Sequence, residues 1–106
     1  MKKATAQRKT NETSIEMSVD LVGNEININT GIGFFDHMLN LLAFHGKFGL
    51  AIQAKGDLFV DDHHLIEDTG ILLGQLFKEA LEDKKGIKRY GTSFVPMDEA
   101  LAQVNL

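Results

Sequence analysis

Two adjacent histidines and a nearby glutamate carry the clearest chemical signal in this chain of 106 residues, which has four histidines in all. His63 and His64 precede Glu67 in the segment 61–68, which reads DDHHLIED. Imidazole and carboxylate groups together are typical ligands of divalent transition metals such as manganese, iron, cobalt, nickel and zinc. The segment is therefore a candidate metal site.

The spacing favours two metal sites over one. On a helix, positions i and i+4 share a face, so His63 and Glu67 could hold one ion together. His64 lies about 100° further round the helix and must serve a different point in space. Asp61 and Asp62 could orient a ligating histidine or cap the start of the helix, and we expect at least one of them to cap it.

Four other residues have ordinary interpretations when taken alone. His37 lies on an apolar helix, where a single histidine is usually part of the core, and His45 lies near the C-terminal end of that helix, where a positive charge is favoured. Glu12 reads as a solvated carboxylate. Arg89 reads as a surface cation, although its planar side chain could also bind a phosphate.

Strands and helices alternate along the chain. Alternating polar and apolar residues predict strands over 3–9, 13–21 and 26–29. Residues 34–45 are apolar on most sides, which predicts a deeply buried helix. The longest helix is predicted over about 62–82.

The remaining segments are shorter. Residues 49–55 and 57–60 suggest a strand interrupted at Gly56, and residues 92–95 suggest another strand. Residues 99–106 could form a short helix or a strand.

Composition excludes several classes of partner and site. Lysine plus arginine number 11 and aspartate plus glutamate 15, for a net charge of −4, and no basic cluster points to nucleic acid or an anionic membrane. No apolar run is long enough to span a bilayer. The absence of cysteine excludes disulfides and thiolate metal sites. We expect a cytoplasmic protein.

A series of longer motifs, taken in chain order, resembles the imidazoleglycerol-phosphate dehydratase family, whose members act in histidine biosynthesis. The resemblance covers almost all of the chain. The motifs are Arg8-x-Thr10-x-Glu12-Thr13, the run 30–39 (TGIGFFDHML), Gly56-Asp57, the segment 61–68, Leu73-Gly74, the run 86–91 (GIKRYG) and the run 95–102 (VPMDEALA).

The resemblance implies an α+β fold in which a β-sheet packs on two helices. This unit is one half of a duplicated two-repeat α/β fold of the ribosomal protein S5 domain 2-like type. Family members are nearly twice as long as this chain. Residues 1–88 correspond to the first repeat and 89–106 to the opening strands of a second, so we expect a truncated chain. Its uncovered apolar faces predict self-association.

The resemblance also implies the metal ligands. The family uses two Mn²⁺ ions per complete site, each bound by residues from both repeats and brought together between the subunits of a large symmetric homo-oligomer. Carried over by motif, His37 and His64 would bind one ion, and His63 and Glu67 the other. The choice of manganese is implied by the family, because an N/O site by itself binds several other divalent metals more tightly.

Three further roles follow from the same resemblance. Glu12 matches the acid/base carboxylate, His45 a position that lines the substrate, and Arg89 one arm of the phosphate clamp. The implied substrate is imidazole glycerol phosphate, a small phosphorylated molecule, and the product is imidazole acetol phosphate. In this scheme the metals bind the imidazole ring, the ring expels the neighbouring hydroxyl, and Glu12 removes the adjacent proton.

Three hypotheses remain open at this point. The chain could be a dehydratase fragment that is inactive alone, a non-catalytic metal-binding half-domain or assembly module, or a half whose copies associate to rebuild a working site.

Overall fold

The structure is a computed structural model that describes residues 2–106, and it has the predicted α+β architecture. Six strands and two helices follow one another along the chain. Their bounds are β1 Lys3–Lys9, β2 Thr13–Asp20, β3 Ile26–Asn29, α1 Gly33–Gly46, β4 Gly49–Gly56, α2 His63–Leu81, β5 Thr92–Met97 and β6 Ala100–Asn105.

The main sheet contains four strands in the order β1-β2-β4-β3. Strand β2 pairs antiparallel with β1 on one side and with β4 on the other. Strand β3 runs parallel to β4, and α1 forms the crossover between them. Along the β2–β4 ladder Thr13 lies opposite Gly56, which brings the turn between β1 and β2 next to the end of β4.

The core lies between one face of the sheet and helix α2. Alternate residues of β2 and β4 are buried, as expected for a sheet covered on one side. Helix α2 packs across β1, β2 and β4. Its buried stripe recurs at helical spacing and consists of Leu65, Asp68, Thr69, Leu72, Leu76 and Ala80.

Helix α1 is much less buried than its composition predicts, so the prediction of deep burial was wrong. Its buried residues are Leu39 and Ala43, whereas Phe34 is 65% exposed and Phe44 is 68% exposed. The physical reason is that α1 contacts β3 and β4 along one face, and no other element of residues 2–106 covers its opposite face.

Two short segments bear on the sequence predictions: residues 57–60, which the sequence predicts as a strand, and residues 99–106, for which it allows a helix or a strand. Residues 57–60 form a turn rather than a strand, in which the Val60 amide donates to the Asp57 carbonyl at 2.8 Å. Residues 100–105 form a strand, because they pair antiparallel with β5. Pro96 is accommodated in β5 opposite Leu101.

Strands β5 and β6 form a separate hairpin. Every residue of both strands is exposed, including Phe94 and Leu101, and within residues 2–106 the hairpin contacts no other helix or strand. No helix in the described part of the chain is long and apolar enough to cross a membrane.

Candidate metal and acid–base site

The start of helix α2 is held by Asp61 and not by Asp62. The Asp61 carboxylate accepts a hydrogen bond from the His63 amide at 2.9 Å, which satisfies one of the amides that have no partner inside the helix. Asp62 occupies the cap position but makes no capping hydrogen bond with its side chain. The expectation that one of the two aspartates caps the helix is confirmed.

His63 and Glu67 form the first side-chain pair of the site. The Nε2 atom of His63 lies 3.0 Å from a carboxylate oxygen of Glu67, one helical turn further on. Both side chains are more than half exposed, at 68% and 55%. An imidazole and a carboxylate this close, open to solvent, form the two-ligand arrangement that the sequence predicts for one ion, although their role as ligands stays a prediction.

His64 faces a different partner. Its Nδ1 atom lies 2.7 Å from a carboxylate oxygen of Asp57, and its ring stands nearly perpendicular to the ring of His63, with 5.6 Å between the ring centres. A carboxylate that accepts the Nδ1 proton leaves Nε2 as the free lone pair, the arrangement found behind many metal-binding histidines. The second oxygen of Asp57 is buried and has no hydrogen-bond partner in residues 2–106.

The hydrogen bond that the His64 imidazole donates to the Asp57 carboxylate raises the pKa of His64 above its ordinary value. Partial desolvation opposes this rise, and the negative charges of Asp57, Glu12 and Asp61 add to it. A metal ion at Nε2 would compete with the second proton of the imidazolium form and leave the Nδ1 proton on its hydrogen bond to Asp57, so ion binding at His64 competes with protonation of Nε2.

Gly56 allows the end of β4 to approach helix α2. A methyl group added at Gly56 would lie 3.1 Å from Cβ of Leu65, tighter than an ordinary contact. Leu65 is fully buried and follows His64 directly. The small residue therefore sets the distance between the first turn of α2 and the segment that carries Asp57.

Glu12 lies in the turn between β1 and β2, on the same side of the molecule as His64. The turn is organised by the Thr10 hydroxyl, which accepts hydrogen bonds from the amides of Glu12 and Thr13, both at 3.1 Å. The same hydroxyl lies 3.2 Å from the Glu12 carboxylate. Because Thr13 lies opposite Gly56, the turn lies beside the Asp57–His64 pair.

The structure does not gather the other predicted site residues. His37 and His45 are exposed on α1, and no Cα atom of α1 lies within 8 Å of one in α2. Asp36 accepts hydrogen bonds from the amide and hydroxyl of Thr30, which fixes the end of the helix that carries His37. Arg89 is exposed between α2 and β5. Within residues 2–106, no three histidine, aspartate or glutamate side chains are placed to hold one metal ion.

Asp57 is the site residue that sequence reasoning missed. Its type and its neighbour Gly56 are visible in the sequence, but helical spacing could not connect it to His64, because a turn separates the two. The one available signal was a carboxylate shortly before the two histidines, and the sequence interpretation assigned that position to Asp61 and Asp62 instead.

Comparison with known proteins gives one consistent result. The family model described as imidazoleglycerol-phosphate dehydratase matches residues 30–106. A protein of that name from Clostridium botulinum (strain Hall) is 62% identical over 104 residues, which cover 97% of this chain and 53% of the relative. The protein of the same name from Lactiplantibacillus plantarum is 60% identical, covering 100% of this chain and 55% of the relative. The chain therefore spans about half the length of these curated relatives.

Solved structures agree with the sequence matches. The crystal structure of imidazoleglycerol-phosphate dehydratase from Staphylococcus aureus superimposes with a TM-score of 0.79 at 44% identity, covering 97% of this chain and 56% of that one. The Pyrococcus furiosus protein gives a TM-score of 0.71 at 37% identity, covering 94% of this chain and 52% of that one.

Proposed function

We propose a function for this chain from one premise: it belongs to the imidazoleglycerol-phosphate dehydratase family. The proposal is that the chain contributes to the dehydration of imidazole glycerol phosphate to imidazole acetol phosphate in histidine biosynthesis, in the cytoplasm. The observation that carries it is the first turn of α2, where His63 lies 3.0 Å from Glu67 and His64 lies 2.7 Å from Asp57.

The donor atoms of the predicted ligands suit manganese, but residues 2–106 of one copy bring together only part of a coordination sphere. His63 and Glu67 would hold one ion, and His64 with His37 would hold the other. Support comes from the nitrogen and oxygen donor set and from Asp57, which leaves Nε2 of His64 free to bind. Two ligands do not complete a coordination sphere, so we propose that other parts of the assembled protein supply the rest.

Association of copies is part of this proposal. Helix α1 presents Phe34 and Phe44, and the β5–β6 hairpin presents Phe94 and Leu101, all more than half exposed. Exposed apolar patches of this kind are typical of surfaces that other protein covers. A homo-oligomer would bury them and could bring His37 of one copy towards the α2 helix of another.

The chain's own residues would handle the proton and the phosphate. When bound, the metal ions would act as Lewis acids that draw electrons from the imidazole ring of the substrate. The Glu12 carboxylate, exposed in its turn, would remove the proton from the carbon next to the one that loses its hydroxyl. Arg89 would bind the phosphate through its planar guanidinium group, and His45 would line the substrate.

Metal binding without turnover is the second candidate function. It is favoured by the fact that residues 2–106 bring no more than two of the predicted ligands together at any one point. On this reading the chain is a metal-binding half-domain or assembly module, and the Glu12 turn has no substrate to act on.

The two functions separate in a turnover assay. Two preparations would be given imidazole glycerol phosphate and Mn²⁺: the purified chain alone, and the chain mixed with the portion of the Lactiplantibacillus plantarum relative that this chain does not match. A chelator serves as the metal control. We expect chelator-sensitive turnover in at least the combined preparation. It should disappear in His63→Ala and persist in Glu79→Gln, an exposed carboxylate near the far end of α2.

Electron paramagnetic resonance measures Mn²⁺ binding in the same two preparations. Binding with no turnover in either preparation would favour the module. A folded chain that neither binds Mn²⁺ nor turns over substrate in either preparation would overturn both functions.

A further inference from the structure

We propose that Asp68 is a positioning residue that holds the Glu12 turn against the metal-binding end of helix α2. The inference rests on the proposed function, because this placement matters for chemistry only if Glu12 and His64 act on the same substrate. The carboxylate of Asp68 has no place in the metal and substrate roles described above, yet it is buried, with 8% of the residue exposed.

The contact that carries the inference joins two distant parts of the chain. The Thr13 hydroxyl donates to Oδ2 of Asp68 at 2.6 Å, across 55 residues of sequence. Thr13 is itself 4% exposed and follows Glu12 directly. A short hydrogen bond to a carboxylate inside a water-poor contact is among the stronger hydrogen bonds in proteins.

The second oxygen of Asp68 faces a positive charge on another strand. Nε of Arg8 lies 3.4 Å from Oδ1, which is within ion-pair distance, but the two atoms do not form a hydrogen bond. Arg8 belongs to β1 and Thr13 to β2, so Asp68 contacts both strands that lead into the turn. The helix thus holds the turn from two sides.

The position of Asp68 on the helix aligns it with His64. The two residues are four apart, so they share one face of α2. His64 meets Asp57 at the end of β4, and one turn later Asp68 meets Thr13 on the adjacent strand. The same helix face therefore sets both the histidine and the turn that carries Glu12.

Packing alone does not explain this residue. Burying a carboxylate costs free energy unless it is paired, and an apolar side chain would fill the same space without that cost. The carboxylate adds a directional contact, because it accepts a hydrogen bond from the Thr13 hydroxyl. That hydroxyl lies 3.1 Å from the Thr10 hydroxyl, which in turn accepts a hydrogen bond from the Glu12 amide. The chain of contacts ends at Glu12.

Amide hydrogen exchange tests the inference on the metal-free chain. In Asp68→Asn we expect the Glu12 and Thr13 amides, which both bind Thr10, to exchange about tenfold to a hundredfold faster, while amides of β4 such as Ile52 keep their rates. Glu79→Gln makes the same chemical change on the same helix and should alter neither set. A uniform rise at all amides, or no change at the turn, would overturn the inference.

A second pair of variants guards against misfolding of the first. Thr13→Val removes the hydroxyl and should loosen the turn as Asp68→Asn does, whereas Thr13→Ser keeps the hydroxyl and should restore protection. Equal exchange rates in the valine and serine variants would show that the hydroxyl is not what holds the turn, contrary to the inference.

Mn²⁺ affinity separates this inference from the proposed function. Asp68 is not a proposed ligand, so Asp68→Asn should keep the affinity of the wild-type chain within about twofold. A larger loss would make Asp68 part of the metal site and overturn a positioning role. If the wild-type chain neither binds Mn²⁺ nor supports turnover in the combined preparation, the proposed function fails while the exchange data still decide whether Asp68 holds the turn.

Discussion

Helices α1 and α2 are both rich in apolar residues and both carry predicted metal ligands, but they differ in how much of their surface packs against the sheet. Helix α2 crosses three strands, and each of its predicted metal ligands contacts another side chain of the chain. Helix α1 contacts two strands on one face and leaves His37, Phe34 and Phe44 exposed. The comparison indicates that α2 is organised by this chain alone, whereas α1 is organised only in part.

The largest expected effect tests the difference in packing. Leu76 on α2 is fully buried, so Leu76→Ala should lower the free energy of unfolding by about 2–5 kcal/mol. Leu42 on α1 is 47% exposed, so Leu42→Ala should change it by less than about 0.5 kcal/mol. Urea denaturation of both variants at low protein concentration makes the measurement. Equal losses would show that α1 is as well packed as α2.

Two glycines test how tightly each helix is placed. Gly56→Ala forces a methyl group to within 3.1 Å of Leu65 and should destabilise the fold by about 1–3 kcal/mol. Gly33, at the start of α1, has open space where a methyl group would go, so Gly33→Ala should change stability by less than about 1 kcal/mol. Thermal unfolding of the two variants compares them. A neutral Gly56→Ala would mean that β4 and α2 can separate without cost.

The next expected effect concerns metal affinity. Asp57→Asn should weaken Mn²⁺ binding by about 10–100-fold, because it removes the carboxylate that orients His64. His37→Ala should weaken binding less in the isolated chain, because α1 does not adjoin α2. Isothermal titration calorimetry of both variants provides the ranking. A greater loss in His37→Ala would reverse the comparison between the two helices.

The smallest expected effect is a shift in titration. In the metal-free chain Asp57→Asn should lower the pKa of His64 towards its ordinary value, which NMR of the imidazole protons would follow. Since the folded-state pKa is raised, the stabilising contribution of protonated His64 is present at low pH and is lost as the pH rises through that pKa. In Asp57→Asn the free energy of unfolding should therefore not show this fall with rising pH. An unchanged His64 pKa in the variant would show that Asp57 does not raise it.

Sequence patterns located the elements well where local periodicity decides the outcome. Strands β1 and β2 and helix α2 lie within a residue or so of their predicted bounds, because alternation and helical spacing are local properties. The shared face of His63 and Glu67 follows from the same geometry. Family resemblance added the α+β architecture, which the structure confirms.

Properties that depend on distant partners were not accessible in this way. The apolar composition of α1 predicted burial, but burial requires a second surface, and residues 2–106 provide one for a single face only. Residues 57–60 looked like a strand, yet a strand needs a neighbour with which to pair. Asp57 and Asp68 gained their roles from a turn and from the packing of a hairpin on a helix, and neither contact leaves a periodic signal.

The separation of Thr13 and Asp68 by 55 residues also has a consequence for the order of folding. The His63–Glu67 and His64–Asp57 pairs lie within the single segment 57–67, so they can form as soon as that segment turns and coils. The Glu12 turn can join them only after β2 has found β4 across the intervening residues 21–48, a slower event because a long loop must close. A refolding chain should therefore bring its predicted metal ligands together first and the predicted acid–base residue Glu12 last.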